Sequence, residues 1–147
     1  MKRLLIAVAL VAALPACHRK GHEDRPVTEA WVSLPAVPGR PGAAYFTVKG
    51  ESGATELSGI ASALVQRIEL HEGGMHDGMM TMRPLAKVAI PSGQTVSFAP
   101  GGNHAMLFGI DPAIKPGTAI PLRFDFAGGK SVEVEAKTVG PGAPKPY

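Results

Sequence analysis

"TAIPLRFDFAGGKSVEVEAKTV", Thr118 to Val139, decides the fold class. In its second half Val132, Val134 and Ala136 alternate with Glu133, Glu135 and Lys137. A period of two is that of a strand with one buried face. "GGK", Gly128 to Lys130, turns the chain tightly into that run, so the segment reads as a β-hairpin. The same grammar recurs upstream. "EAWVSL" (29–34) and "AAYFTV" (43–48) are rich in β-branched and aromatic residues. "PAVPGRPG" between them holds too much proline and glycine to be anything but loop. "ALVQRIEL" (63–70) alternates imperfectly from Val65. "MMTMRPLAKVAI" (79–90), "QTVSFAP" (94–100) and "HAMLFGI" (104–110) follow, with "PSG", "GGN" and "DPAIKPG" as turns.

The pattern predicts about seven or eight short strands at roughly ten-residue spacing, an antiparallel Greek-key β-sandwich. "TELSGIASALVQRIEL" (55–70) is the best helix candidate, weakened by Gly59 and its serines. Eighteen glycines and fourteen prolines argue against a helical protein.

The N-terminus speaks to compartment. "MKRLLIAVALVAALPAC" has a basic start at Lys2 and Arg3, an apolar run from Leu4 to Leu14, then Ala16 and Cys17. The run is too short for a stable membrane span and reads as a secretory signal. Leu14-Pro15-Ala16-Cys17 resembles the lipobox of bacterial lipoproteins, with Pro15 an unusual occupant. That resemblance implies cleavage before Cys17 and lipidation of its thiol. The expected organisation is a signal peptide at 1–16, a polar tether at 17–26, a folded domain at 27–139 and a flexible tail at 140–147. His18 and His22 fall in the tether and read as solvated. The location expected is extracytoplasmic, with the protein held at a membrane through its lipid anchor.

Cys17 is the only cysteine, which leaves the domain no internal disulfide and no thiolate metal site. The formal net charge of +3 loses Lys2 and Arg3 with the signal peptide, and no basic stripe remains. Nucleic acid is therefore not an expected partner.

One stretch has an unusual composition. "HEGGMHDGMMTM" (71–82) holds two histidines and four methionines. In this reading His71 ends one strand, Met82 begins the next, and a glycine-broken loop joins them. His104 and Met106 lie two apart on a later strand and so face the same way. If the two pairs meet at one end of the sandwich, two imidazoles and two thioethers converge. Thioethers are soft and neutral, favouring Cu(I) over zinc and serving calcium or magnesium poorly. Methionine also keeps its ligand role where thiols oxidise. The plainer reading stays open: a lone methionine is more often a core gap-filler, and a histidine after two glycines more often a hydrogen-bonded turn residue.

With these residues in view, the chain resembles the periplasmic copper chaperones linked to the CuA centre of cytochrome oxidase, the PCuAC type. Their signature is His, ten residues, Met, twenty-one residues, His, one residue, Met. His71, Met82, His104 and Met106 reproduce all four positions. "ELHE", "MRPL", "IPSGQTV", "PGGNHAMLFGI" and "GTAIPLRFDF" also look like the family, and the likeness spans Ala30 to Val139. It implies a cupredoxin-like β-sandwich and a Cu(I) site made by those four residues. It also implies delivery of copper to an acceptor such as an oxidase subunit or another copper chaperone.

Met75, His76, Met79 and Met80 stand outside the signature and are candidate auxiliary contacts; if the strand runs back from Met82, Met80 shares its face. Glu69, Glu72 and Asp77 are candidates to orient His71, or are simply solvated. The tail "GPGAPKPY" has neither His nor Met, so a second site of the kind some relatives carry there is not expected. No serine or cysteine nucleophile is placed with a histidine and an acid, so an enzyme is not expected. A blue-copper carrier would need a cysteine thiolate. Storage of several copper ions and a metal-free structural lipoprotein domain remain alternatives.

Overall fold

A computed structural model describes residues 26–147. The signal peptide, Cys17, His18, His22 and all of the tether except Pro26 lie outside the described residues. The chain forms β1 (Val27–Ser33), β2 (Gly42–Lys49), β3 (Thr55–Ala61), β4 (Val65–His76) and β5 (Met79–Leu85). It continues with β6 (Val88–Ile90), β7 (Thr95–Phe98), β8 (His104–Ile110), β9 (Ala119–Phe126) and β10 (Ser131–Val139). The strands hydrogen-bond in the order β5-β4-β8-β2-β1-β10-β9-β3-β6, with β7 also on β2. All pairings are antiparallel except β1 with β10. The expected all-β, cupredoxin-like sandwich is what this chain builds, except that its sheet is mixed: β1 and β10 run parallel where the sequence pattern predicts antiparallel pairing throughout.

The β9–β10 hairpin forms where the alternation put it. Ile120, Leu122, Phe124 and Phe126 are buried at every second position of β9. A short 3-10 turn, Ala127–Gly129, closes the hairpin. The centre of the core is aromatic. Phe46 of β2 stacks on Phe98 of β7 at 4.1 Å and meets the edge of Phe124 of β9 at 4.8 Å. Such pairs add to the large apolar area each ring removes from water.

Three further expectations need correction. There are ten strands, because the run 79–90 breaks into β5 and β6 and residues 55–61 add β3. The helix candidate 55–70 is two strands. Its helical look came from Leu57 and Ile60, both buried and three apart. The pairing of β3 with β9 shifts register between Leu57 and Gly59, and this bulge returns Ile60 to the core face. Finally, residues 73–78 are not an open loop. β4 runs on to His76, pairs residue by residue with β5, and turns at Asp77-Gly78. Both turn residues have positive φ, 49° and 77°, as a two-residue type I′ hairpin demands.

The tail 140–147 has no regular secondary structure and lies along β1. The Tyr147 hydroxyl donates to the Ala30 carbonyl at 3.0 Å, and Lys145 pairs with Glu29 at 2.8 Å.

Candidate metal centre

The β4–β8 ladder sets His71 directly opposite His104, and Glu69 opposite Met106. Directly opposed residues share a face, so β4 and β8 bring both imidazoles and one thioether to one side. The imidazole rings lie 5.8 Å apart, inclined by 26°. On the other flank of β4, Met82 opposes Gly73 and Met80 opposes Met75. Counting in steps of two from His71, the face continues through Gly73 and Met75. One face therefore carries His71, Met75, Met80, Met82, His104 and Met106. His76 and Met79, themselves a cross-strand pair, lie on the opposite face.

Part of this face borders an open cleft of about 290 Å³, while His71 lies behind it, opposite His104. Met80, Met82, His104 and Met106 line it, with Tyr45 on the β2 wall and Gly101 and Gly102 on the loop before β8. Burial raises the Tyr45 phenol above its usual pKa, so it stays neutral and adds no hard anion. His104 is buried and His71 nearly so, whereas Met82 is 58% exposed. Met82 thus fills no gap in the core, and the packing explanation fails for it. Met106 is half-buried.

Each imidazole has one nitrogen engaged. His104 donates from Nδ1 to the Gly102 carbonyl at 2.8 Å, leaving Nε2 as the lone-pair nitrogen of the neutral ring. His71 donates from Nε2 to the Glu69 carboxylate at 3.2 Å, leaving Nδ1. That Nδ1 is buried and has no hydrogen-bond partner. A buried nitrogen without a partner is costly unless something else takes its lone pair. Metal-bound histidines characteristically donate their other nitrogen to a carboxylate or a carbonyl, and these two do one of each. Among the described residues, no three His, Cys, Asp or Glu side chains cluster to hold an ion. The soft donors that line this cleft beside His104 are the thioethers of Met80, Met82 and Met106.

Glu69 is anchored in turn by Arg67 at 2.8 Å. Glu72 pairs with Arg83 on the far face, and Asp77 lies 3.6 Å from His76 at the hairpin tip. Of the three acids considered from sequence, Glu69 alone is hydrogen-bonded to His71.

From sequence Gly73 was one of three glycines that let the segment fold back, and its contact with the loop before β8 was not legible. Its N–H donates to the Gly102 carbonyl at 3.1 Å, the same oxygen that holds His104. A Cβ there would fall 2.7 Å from that oxygen. The glycine lets the hairpin come down onto the loop that orients the imidazole.

The family model described as "Putative lipoprotein LpqE-like" matches residues 26–138. "Putative lipoprotein Lxx21020" of Leifsonia xyli subsp. xyli (strain CTCB07) is 33% identical over 110 residues. The match takes in 74% of this chain, which spans only 65% of that relative's length. Among solved structures, Cu(I)-DR1885 from Deinococcus radiodurans is 30% identical with a TM-score of 0.56. That match covers 85% of this chain and 86% of that one. The copper-bound PCuAC domain from PmoF2 is similar in fold at 21% identity, with a TM-score of 0.65 and coverage of 78% and 92%.

Proposed function

The chain belongs to the LpqE-like lipoprotein family, and from that premise we propose that it is an extracytoplasmic copper chaperone. It binds Cu(I) through His71, Met82, His104 and Met106. It acts as a lipoprotein, cleaved before Cys17 and anchored by that residue, and it passes copper to an acceptor such as the CuA site of cytochrome oxidase. The copper is cargo, and the protein performs no chemical conversion on it.

The observation that carries this reading is the pair of opposed imidazoles, each with one nitrogen tied and the other free, of which His104 shares an open cleft with the thioethers of Met82 and Met106. The donor set is neutral and soft, which suits a monovalent soft ion. The likeness to a protein whose solved form holds Cu(I), at 30% identity, supports the same ion. Met82 at the exposed rim suits release, since an acceptor's ligand can replace it first while the buried imidazoles still hold the ion. Glu69 and the Gly102 carbonyl fix the two rings before metal arrives, so little ordering is left for binding to cost.

The test is anaerobic titration of the purified protein with Cu(I) against a chromophoric chelator, beside Met82→Leu, Met106→Leu and His104→Ala. One tightly held copper per chain, weakened by each substitution, is expected. Several tight coppers per chain would mean storage, and no competition would mean a fold without this function.

A further inference from the structure

The hairpin extends past the four-residue site, and its outer end is chemically divided. On the cleft side, Met75 and Met80 oppose each other one strand step beyond Gly73 and Met82. Met75 is 69% exposed and Met80 64%. Together with Met82 they form a row of thioethers that starts at the cleft rim and ends in solvent. No charged side chain interrupts the row. Glu72 with Arg83 and His76 fall on the other face, and Asp77 sits in the turn, 3.6 Å from His76.

Exposed methionines on an edge hairpin bring no core packing. A cluster of exposed apolar side chains calls for another purpose. Opposed Cβ atoms stand about 5 Å apart, and each step of two residues along a strand covers about 7 Å. A methionine side chain with three rotatable bonds spans such gaps.

We infer that Met75 and Met80 form a second, weaker Cu(I) site, a two-thioether station through which copper reaches and leaves the buried site by way of Met82. This deepens the chaperone reading and rests on it. The step is ligand exchange alone. A sulfur lone pair of Met75 or Met80 replaces one of the inner ligands, copper stays Cu(I), and no proton or electron moves. Two neutral thioethers hold the ion less firmly than two imidazoles and two thioethers, so the station fills only after the inner site. Met79 has the same side chain and is next to Met80 in sequence, but it pairs with His76 on the far face and takes no part.

The experiment uses the protein with its methionine methyls labelled and Cu(I) added in two equivalents without oxygen. The first equivalent is expected to shift the methyl resonances of Met82 and Met106. The second is expected to shift those of Met75 and Met80 and to leave Met79 in place. Met75→Leu/Met80→Leu should keep the first affinity and hand copper to a chelator several-fold more slowly, while Met79→Leu should transfer at the wild-type rate. If the first equivalent moves neither Met82 nor Met106, the four-residue site itself falls, and the station with it. If the first behaves as expected but the second leaves Met75 and Met80 unmoved, or moves Met79 as much, the station alone is overturned. Unchanged transfer by the double variant would also overturn it.

Discussion

Gly73→Ala isolates the contact on which the cleft depends. The added methyl would stand 2.7 Å from the Gly102 carbonyl oxygen and 3.4 Å from that of Gly101. The first is backbone, and no side chain can swing aside. Ordinary contact requires the hairpin and loop to part by about 0.5 Å or more. The Gly73 N–H to Gly102 bond, already 3.1 Å, then passes beyond useful reach. Losing it costs about 1 kcal/mol, and overpacking adds about 1–3 kcal/mol. Replacing glycine in a strand returns about 0.5–1 kcal/mol. The net expectation is a loss of about 2 kcal/mol in urea unfolding.

The same displacement moves the acceptor that holds His104 Nδ1. Disturbing such a partner lowers metal affinity by about 10–100-fold, read by Cu(I) competition against a chelator. Gly74→Ala is the internal control, because its added methyl would find nothing nearer than Thr81 Oγ1 at 3.9 Å. If Gly73→Ala folds and binds like wild type, or Gly74→Ala does equal damage, the close approach is not what orients His104 and the reasoning is wrong.

Two further outcomes are expected. Glu69→Gln keeps an acceptor for His71 but removes the charge that sharpens that bond and the pair with Arg67. Cu(I) affinity should fall by about tenfold, while the thermal midpoint stays nearly unchanged because Arg67 is exposed. Phe124→Ala empties a fully buried position against Phe46 and should cost about 3–5 kcal/mol in urea unfolding.

The strands were legible where one face meets the core and the other meets water. β9 and β10 alternate so cleanly that burial follows the sequence. Legibility failed at the bulge in β3, where an extra residue gave the buried pair Leu57 and Ile60 a helical spacing. It failed again at 71–82. There three glycines masked a hairpin whose Asp77-Gly78 turn is a sequence signal in its own right.

The sequence by itself determined which candidate donors there are: two histidines and two methionines at a fixed spacing, with no cysteine within the domain. That Met80 shares a face with Met82 followed from the strand period of two only once the structure showed β5 to run back through Met80. Only the tertiary structure decided which groups meet. Register between β4 and β8 set His71 against His104, thirty-three residues on in sequence, and the pairing of the hairpin with the loop before β8 brought Gly73 onto the Gly102 carbonyl that holds His104. A side chain's direction follows from its own strand, whereas its neighbours depend on which strands pair and on how closely a glycine lets them approach.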